Sequence, residues 1–397
     1  MKKSIAAVTG LGCVCAAGDS LEQVMQSLYS GRRNPSPPKR VNSGLDRISP
    51  VFEVASLTEE NRSENGASRT TLLAVSAVKE ALKHARLEGD HMKGKKVGVV
   101  LGTTVGCTLN NEPFYRTYKD RKNPDIEPIK SFLTNNPALF IADLFGCSGP
   151  AVTIANACSS GTDAVGIAKS WIENGICDIA IAGGTDELCR TTYIGFTSLL
   201  ITSLEPCRPF DRNRKGLNLG EGAGIVIVES RESAELRGVQ VLARVAGYGS
   251  SGDAHHPTAP HPEGMGLRRA IGIALKDART TSDAISFINA HGTSTLDNDR
   301  VEGKVIRDLF SKSIPVVSTK AYTGHTLGAA GGIEAVLTVR ALQDGRLPVT
   351  AGFEEPDHEC GIIPTTKNTA IRGNFAMSNS LAFGGNNSVL VFCRDTP

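Results

Sequence analysis

Residues 154–164 read IANACSSGTDA, a stretch where an apolar run gives way to small residues and then to a helical pattern. Val152, Ile154 and Ala155 fit a buried strand, while Ser159, Ser160 and Gly161 let backbone atoms come close. The continuation TDAVGIAKSWIENG has helical spacing, which puts Cys158 at a helix N-terminus. There the dipole and the free N–H groups favour a thiolate over a thiol, so Cys158 is a candidate nucleophile.

The same alternation of strand and helix runs through the chain. Strand-like runs begin at residues 4, 96, 151, 178 and 222, and again at 241, 284, 314, 372 and 386, with helical patterns such as GMGLRRAIGIALKDA and GGIEAVLTVRALQDG between them. Both sets end in a Gly-rich turn that feeds an apolar strand. The order predicts an internal duplication, with one five-stranded α/β half over 1–235 and a second over 236–397. Strands apolar on both faces imply sheets covered by helices on each side, with reactive groups gathered where strands end and helices begin. The first half is longer through excursions at about 30–60, 107–145 and 190–220, expected to form a cap or an oligomer contact. GRRNPSPPKR at 31 reads as a solvated Pro-rich loop.

Composition narrows the function classes. A net charge of +2 over 397 residues, without a basic stripe, argues against binding nucleic acid through many phosphates. No apolar run approaches the roughly 20 residues that span a bilayer. The start MKKSIAAVTGLG is too short and too soon broken by glycine for a signal peptide, so a cytoplasmic protein is expected. The ten cysteines include no C-x-x-C pair, which argues against a zinc ribbon or a thioredoxin-like site.

A nucleophilic cysteine needs partners. His291 lies in NAHGTSTLDNDRVEGK just past an apolar strand, and His325 in STKAYTGHTLGAAGGIEA between a strand and a helix. His255, His256 and His261 sit in the polar loop DAHHPTAPHPEG without a companion acid at helical spacing, a weak metal site. These three, with His84, His91 and His358, read as structural. SLAFGGNNS is either a tight turn into the last strand or a loop that aims a backbone N–H at a substrate oxygen while Phe383 shields the cavity.

NACSSG, NAHGTST, STKAYTGHTLGAAGG and AFGGNN, in this order over almost the whole chain, resemble the β-ketoacyl-acyl carrier protein synthases, especially the elongating Cys-His-His type of the thiolase superfamily. RPFDRNRKGLNLGEGAGIVIVES is similar to the family segment leading to the last strand of the first half. The resemblance implies a thiolase-like α/β fold, duplicated five-stranded mixed sheets in α-β-α-β-α layers. It implies that Cys158 carries the acyl chain, that the N–H groups of Cys158 and Phe383 hold the oxyanion, and that His291 and His325 hydrogen-bond the malonyl thioester oxygen. Lys320 would hold the charge network, Glu302 would pair with that lysine or support its loop, and Thr293 and Thr295 would bind the pantetheine arm. Phe383 would gate entry.

Three departures stand out. Ala382 replaces the first glycine of the usual Gly-Phe-Gly-Gly gate, which predicts a loop that moves less freely. Val105 stands where some members carry a bulkier residue that limits the acyl pocket. GFTSLLITSLEPCRPFD is shortened. These features admit specialised polyene or polyketide synthesis beside fatty acid synthesis.

The resemblance further implies an acidic acyl carrier protein as partner, met by a basic patch for which Arg62, Arg69 and Lys130 are candidates. It implies a homodimer, or a heterodimer with a related subunit, and no metal. No tightly bound cofactor is expected, since the phosphopantetheine arm comes with the carrier. A non-catalytic chain-length subunit is the main rival, yet that class generally loses the cysteine. A nicotinamide oxidoreductase, suggested by VTGLG, lacks the full G-x-G-x-x-G pattern. A thiolase uses a second late cysteine, whereas Cys393 falls inside the final strand and Cys360 in a loop.

Overall fold

A computed structural model describes residues 4–57, 67–106, 112–127, 129–130, 136–311 and 314–395. Every one of the ten apolar runs forms a strand. In the first half these are β1 (Ala6–Cys15), β2 (Val97–Gly102), β3 (Ala151–Ile154), β4 (Ile179–Asp186) and β5 (Gly222–Ser230). In the second they are β6 (Ala243–Gly252), β7 (Ile285–Asn289), β8 (Val316–Val317), then, after a small ribbon of β9 (Arg346–Leu347) and β10 (Thr369–Ala370), β11 (Phe375–Ala382) and β12 (Asn386–Cys393).

The strand order β3-β2-β4-β5-β1-β6-β12-β11-β7-β8 is a mirror. Five strands on one side are met by their equivalents in reverse, and the senses agree as well. β2 is parallel to β3 and β4, just as β7 is parallel to β8 and β11. The β4–β5–β1 run is antiparallel, and so is β11–β12–β6. The two halves join where β1 pairs antiparallel with β6 through Ala7–Arg244 and Val8–Ala243. The duplication expected from element order is therefore present in the hydrogen bonding of the sheet.

Helices cover both faces, as the apolar strands require. Arg69–His84 packs on β1, β4 and β5, and Met265–Asp277 packs on β6 and β12. Between the halves lie two central helices, Ser160–Glu173 and Ala330–Asp344, which touch each other and strands of both halves. The result is five layers, α-β-α-β-α. One strand departs from expectation: β3 is only partly buried and Val152 is 39 % exposed, because β3 is an edge strand with β2 alone beside it. Among the described residues no helix is long and apolar enough to cross a membrane.

The central helices approach backbone to backbone. A Cβ on Gly161 would lie 2.6 Å from the Gly332 nitrogen and 2.7 Å from the Gly328 oxygen, and one on Gly332 would strike the Gly184 nitrogen and Gly224 oxygen. A hydrogen bond of 2.8 Å between the hydroxyls of Thr162 and Ser380 ties the first central helix to β11 of the other half. Since the obstructing atoms at Gly161 are main chain and cannot swing aside, Gly161→Ala is expected to lower unfolding stability by about 2 kcal/mol. Denaturant titration of the two proteins measures it, and an unchanged midpoint would contradict so close a crossing.

Candidate active site

The nucleophile loop leaves β3 and turns sharply, with Ala157 in the left-handed region at φ 48°. The first central helix starts at Ser160 with Ser159 as N-cap, so Cys158 sits just ahead of the helix N-terminus, where its sequence places it. The turn is laced by short polar bonds. The Asn156 N–H donates to Ser160 Oγ at 2.7 Å, and the Asn156 amide and Ser159 hydroxyl both donate to Asp163.

His325 arrives from the second half at the matching place, just ahead of the second central helix. Its backbone is held on both sides by the segment before β5: its N–H donates to the Asn218 oxygen at 2.7 Å, and its oxygen accepts from the Gly220 N–H at 3.0 Å. Its Nε2 lies 3.1 Å from Cys158 Sγ across 167 residues of chain. His291 follows β7 and stands perpendicular to His325, with ring centroids 5.3 Å apart. The backbone N–H groups of Phe383 and Cys158 both act on the same thiol to favour its ionised form.

The structure brings Cys158, His291, His325, Thr293, Thr295 and Phe383 to the wall of one cavity of about 250 Å³. The Thr293 and Thr295 hydroxyls are 2.8 Å apart there. Lys320 is buried behind His291. Having no acceptor, its ammonium donates to His291 Nδ1 at 3.1 Å and to the Glu334 carboxylate. That contact fixes the tautomer: Nδ1 accepts, so the proton of a neutral His291 resides on Nε2.

Glu302, offered either as partner of Lys320 or as support for the loop, does the second. Its carboxylate accepts from the backbone N–H groups of His291 and Gly292, both at 2.8 Å, and from Asn379 at 3.2 Å. The lysine's partner is Glu334, which sequence reading missed. Its signal was a lone carboxylate in GGIEAVLTV, a helix stretch otherwise of small and apolar residues. Asp186, at the end of β4, was missed too. It accepts from Thr103 Oγ1, from the N–H groups of Thr104 and Val105, and from the Gly328 N–H at 2.6 Å, so it ties the loop after β2 to the His325 segment.

Burial dominates the electrostatics. It pushes the Cys158 thiol up to about 12, outweighing the nearby Lys320 charge and the Phe383 N–H. The thiolate expected from the helix dipole is therefore not the resting form. Burial, reinforced by Lys320, also holds His291 and His325 well below the ordinary imidazole range, so both are neutral at pH 7. It raises Glu302 and Glu334 to about 7 and Asp186 to about 6.

The remaining candidates differ in where they lie. Val105 does not line this cavity; its side chain is buried in an apolar cluster with Leu217 and Leu327, while its N–H donates to Asp186. Arg69 is no docking residue, being buried in a 2.6 Å ion pair with Glu221. Lys130 is exposed and lies 2.7 Å from Glu127, and Arg62 falls outside the described residues. Ala382 has an ordinary extended backbone, φ −128°, whereas the left-handed angles fall on Gly384 and Gly385. Phe383 stacks on Phe196 at 5.3 Å, and Phe196 meets His325 edge-on at 6.3 Å. His84, His256 and His261 each accept a backbone N–H through Nδ1, as structural histidines do. Among the described residues no cluster of three or more His, Cys, Asp or Glu is placed to hold a metal.

The β-ketoacyl synthase N-terminal domain matches residues 3–234 and the C-terminal domain of the same enzymes matches residues 242–354. The chain is 35 % identical to a 3-oxoacyl-[acyl-carrier-protein] synthase 2 of Synechocystis, covering 99 % of this chain and 98 % of that one. Its fold is similar to the ishigamide ketosynthase/chain length factor, with a TM-score of 0.92 at 30 % identity over 99 % of this chain and all of the other. A type II ketosynthase solved with its acyl-carrier protein is similar at a TM-score of 0.90 and 29 % identity, again over 99 % of this chain and all of that one. With both halves matched and a relative alike from end to end, the chain belongs to the β-ketoacyl synthase family.

Proposed function

We propose that the chain condenses malonyl-acyl carrier protein with an acyl group held on Cys158, as a 3-oxoacyl synthase of fatty acid or specialised polyene or polyketide synthesis. The observation that carries this reading is the 3.1 Å contact of Cys158 Sγ with His325 Nε2 on the wall of a cavity shared with His291. A non-catalytic chain-length subunit has no use for that arrangement.

In the first step the Cys158 sulfur attacks the thioester carbonyl on the carrier's arm. A thiol at about 12 is a weak nucleophile at pH 7, so its proton passes to His325 Nε2 as the C–S bond forms. The tetrahedral oxyanion is received by the N–H groups of Cys158 and Phe383, each such donor being worth roughly 10²–10³ in rate. The pantetheine sulfur leaves and takes the proton from His325.

Malonyl thioester then enters. Once Cys158 is acylated it no longer donates to His325 Nε2, and the ring's single proton, left on an Nδ1 without a protein partner, must exchange through water to Nε2 before that nitrogen can donate. With His291 Nε2–H it forms a pair of neutral donors for the thioester oxygen as carbon dioxide leaves and an enolate develops. The enolate carbon attacks the acyl carbonyl, the new C–C bond forms, and Cys158 departs as thiolate to be reprotonated. No electron acceptor is involved, and the proposed chemistry uses no tightly bound cofactor; the phosphopantetheine arm is substrate, threading past Thr293 and Thr295. The carrier and a related subunit seen with relatives support an acyl carrier protein partner and a dimer, and likeness to a 3-oxoacyl-[acyl-carrier-protein] synthase 2 supports a cytoplasmic setting.

Mass spectrometry of the protein mixed with acyl-carrier protein tests the first step: Cys158→Ala should take up no acyl group. His291→Ala should still acylate, since its ring does not touch the sulfur, yet lose decarboxylation of malonyl-carrier protein by at least about 10²-fold. Equal loss of both half-reactions in His291→Ala would overturn this division of labour.

The buried carboxyls make stability depend on pH. Glu302 and Glu334 hold protons up to about pH 7 in the folded chain and release them near the ordinary glutamate value when unfolded. Such raised groups contribute stability that is complete below the unfolded value and lost as pH rises through about 7. The two histidines act oppositely, but only below their ordinary value near 6.5. Thermal stability should therefore fall between about pH 6.5 and 8, and less steeply in Glu334→Gln. Parallel slopes for the two proteins, followed by calorimetry, would contradict a titrating Glu334.

A further inference from the structure

We infer that the mouth of the cavity seats the carrier protein through apolar contact rather than through a basic patch, an inference that rests on the carrier-dependent condensation proposed above. Whatever delivers an acyl chain on a tethered arm must sit where the cavity opens. Three leucines both line the cavity and face outward: Leu199 is 48 % exposed, Leu200 88 % and Leu296 59 %. Exposed leucines scattered singly need no explanation, whereas several on the lip of a reactive cavity mark a contact surface.

Leu200 adds a second observation. It directly follows Leu199, the C-cap of the helix Arg190–Ser198, and adopts φ 58°. That left-handed position ordinarily falls to glycine, and a side chain with a Cβ costs roughly 1 kcal/mol there. The chain thus holds its most exposed lip leucine in an unfavourable backbone conformation, although burial gives it nothing within its own fold.

Charge points the same way. Among the described residues lining the cavity the charged ones are Lys215, Asp253 and Asp297. The Lys215 ammonium is already paired with Glu205 at 2.7 Å. The Asp297 carboxylate is likewise paired, with Arg300, so an acidic partner meets two neutralised pairs and the Asp253 carboxylate at this lip, and attraction of opposite charges does not hold it there. The occupant that fits is a carrier protein presenting apolar side chains beside the point from which its phosphopantetheine arm departs.

The test compares acylation of Cys158 by acyl-carrier protein with acylation by the same acyl group on N-acetylcysteamine, which mimics the arm's end without the protein. For Leu200→Asp the ratio of the two values of kcat/KM should fall about tenfold. Leu200→Gly, which relieves the backbone while removing the side chain, should lower the ratio without loss of thermal stability. For the wild type, carrier-dependent acylation should change less than about threefold between roughly 0.05 and 0.5 M NaCl. An unchanged ratio, or a steep decline with salt, overturns the apolar seat. A change of oligomeric state in Leu200→Asp, read by sedimentation, also overturns it by giving the lip to a second copy. Failure of the wild type to be acylated by either substrate would instead remove the condensation reading itself.

Discussion

The crossing of the two central helices without intervening side chains is the constraint on which the site depends. Cys158 precedes one of these helices and His325 precedes the other, at matching places in the duplicated halves. Gly161 and Gly331 let the helix starts approach to backbone contact, and the sulfur and the imidazole then meet at 3.1 Å without any direct chain connection. One methyl group between the helices would move the two reacting groups apart by more than a hydrogen bond tolerates. Asp186 reinforces the same geometry from the β4 end, because its carboxylate accepts from both the loop after β2 and the Gly328 N–H.

Once the helices have set the distances, a single buried cation sets the protonation. Lys320 faces two imidazoles and one carboxylate with little water to screen it. Its charge discourages either histidine from becoming a cation and fixes His291 as an Nε2–H donor. Glu334 gives the ammonium a hydrogen-bonding partner in this interior, which holds it against His291 Nδ1. Neutral donors suit an enolate that must go on to attack, since a full positive charge beside it would hand over a proton and quench the carbon nucleophile.

Much of this was legible in the chain itself. Ten strands, their duplication and the meeting of Cys158, His291 and His325 follow from apolar runs that end in small residues, because a sheet covered on both faces leaves a plain pattern. What stayed hidden depends on contacts between distant segments. Glu334 and Glu302 are both glutamates in helices, and only the packed structure shows which one Lys320 meets. Arg69 looked like a surface charge because Glu221, its partner, is 152 residues away. The acidity of Cys158 was misjudged for a related reason: the helix terminus is visible locally, whereas the depth of burial that outweighs it is a property of the whole fold. Val152 reads like any strand valine, and its exposure follows only from the edge position of β3.

The gate shows where a local departure carries less weight than it suggests. Ala382 ends β11 with strand dihedrals, so the methyl group that replaces a glycine there lies outside the part of the loop that needs unusual angles. Gly384 and Gly385 supply those angles, and they are not independent of the rest. The Gly384 N–H donates to the Pro257 oxygen at 2.7 Å, and the Asp253 N–H donates to the Gly385 oxygen at 2.8 Å. Moving Phe383 off Phe196 alone would break a stack worth about 1 kcal/mol and leave two backbone hydrogen bonds unmade at a similar cost each. If the loop that holds Asp253 and Pro257 travels with it, those two backbone bonds are kept, and the stack is lost together with the bond that Asp253 accepts from the Gly266 N–H. The cheaper path for displacing Phe383 is thus a joint shift of two neighbouring loops that hydrogen-bond each other at the cavity wall, which couples the His-rich stretch after β6 to the Phe383–Phe196 stack although none of its histidines touches the chemistry.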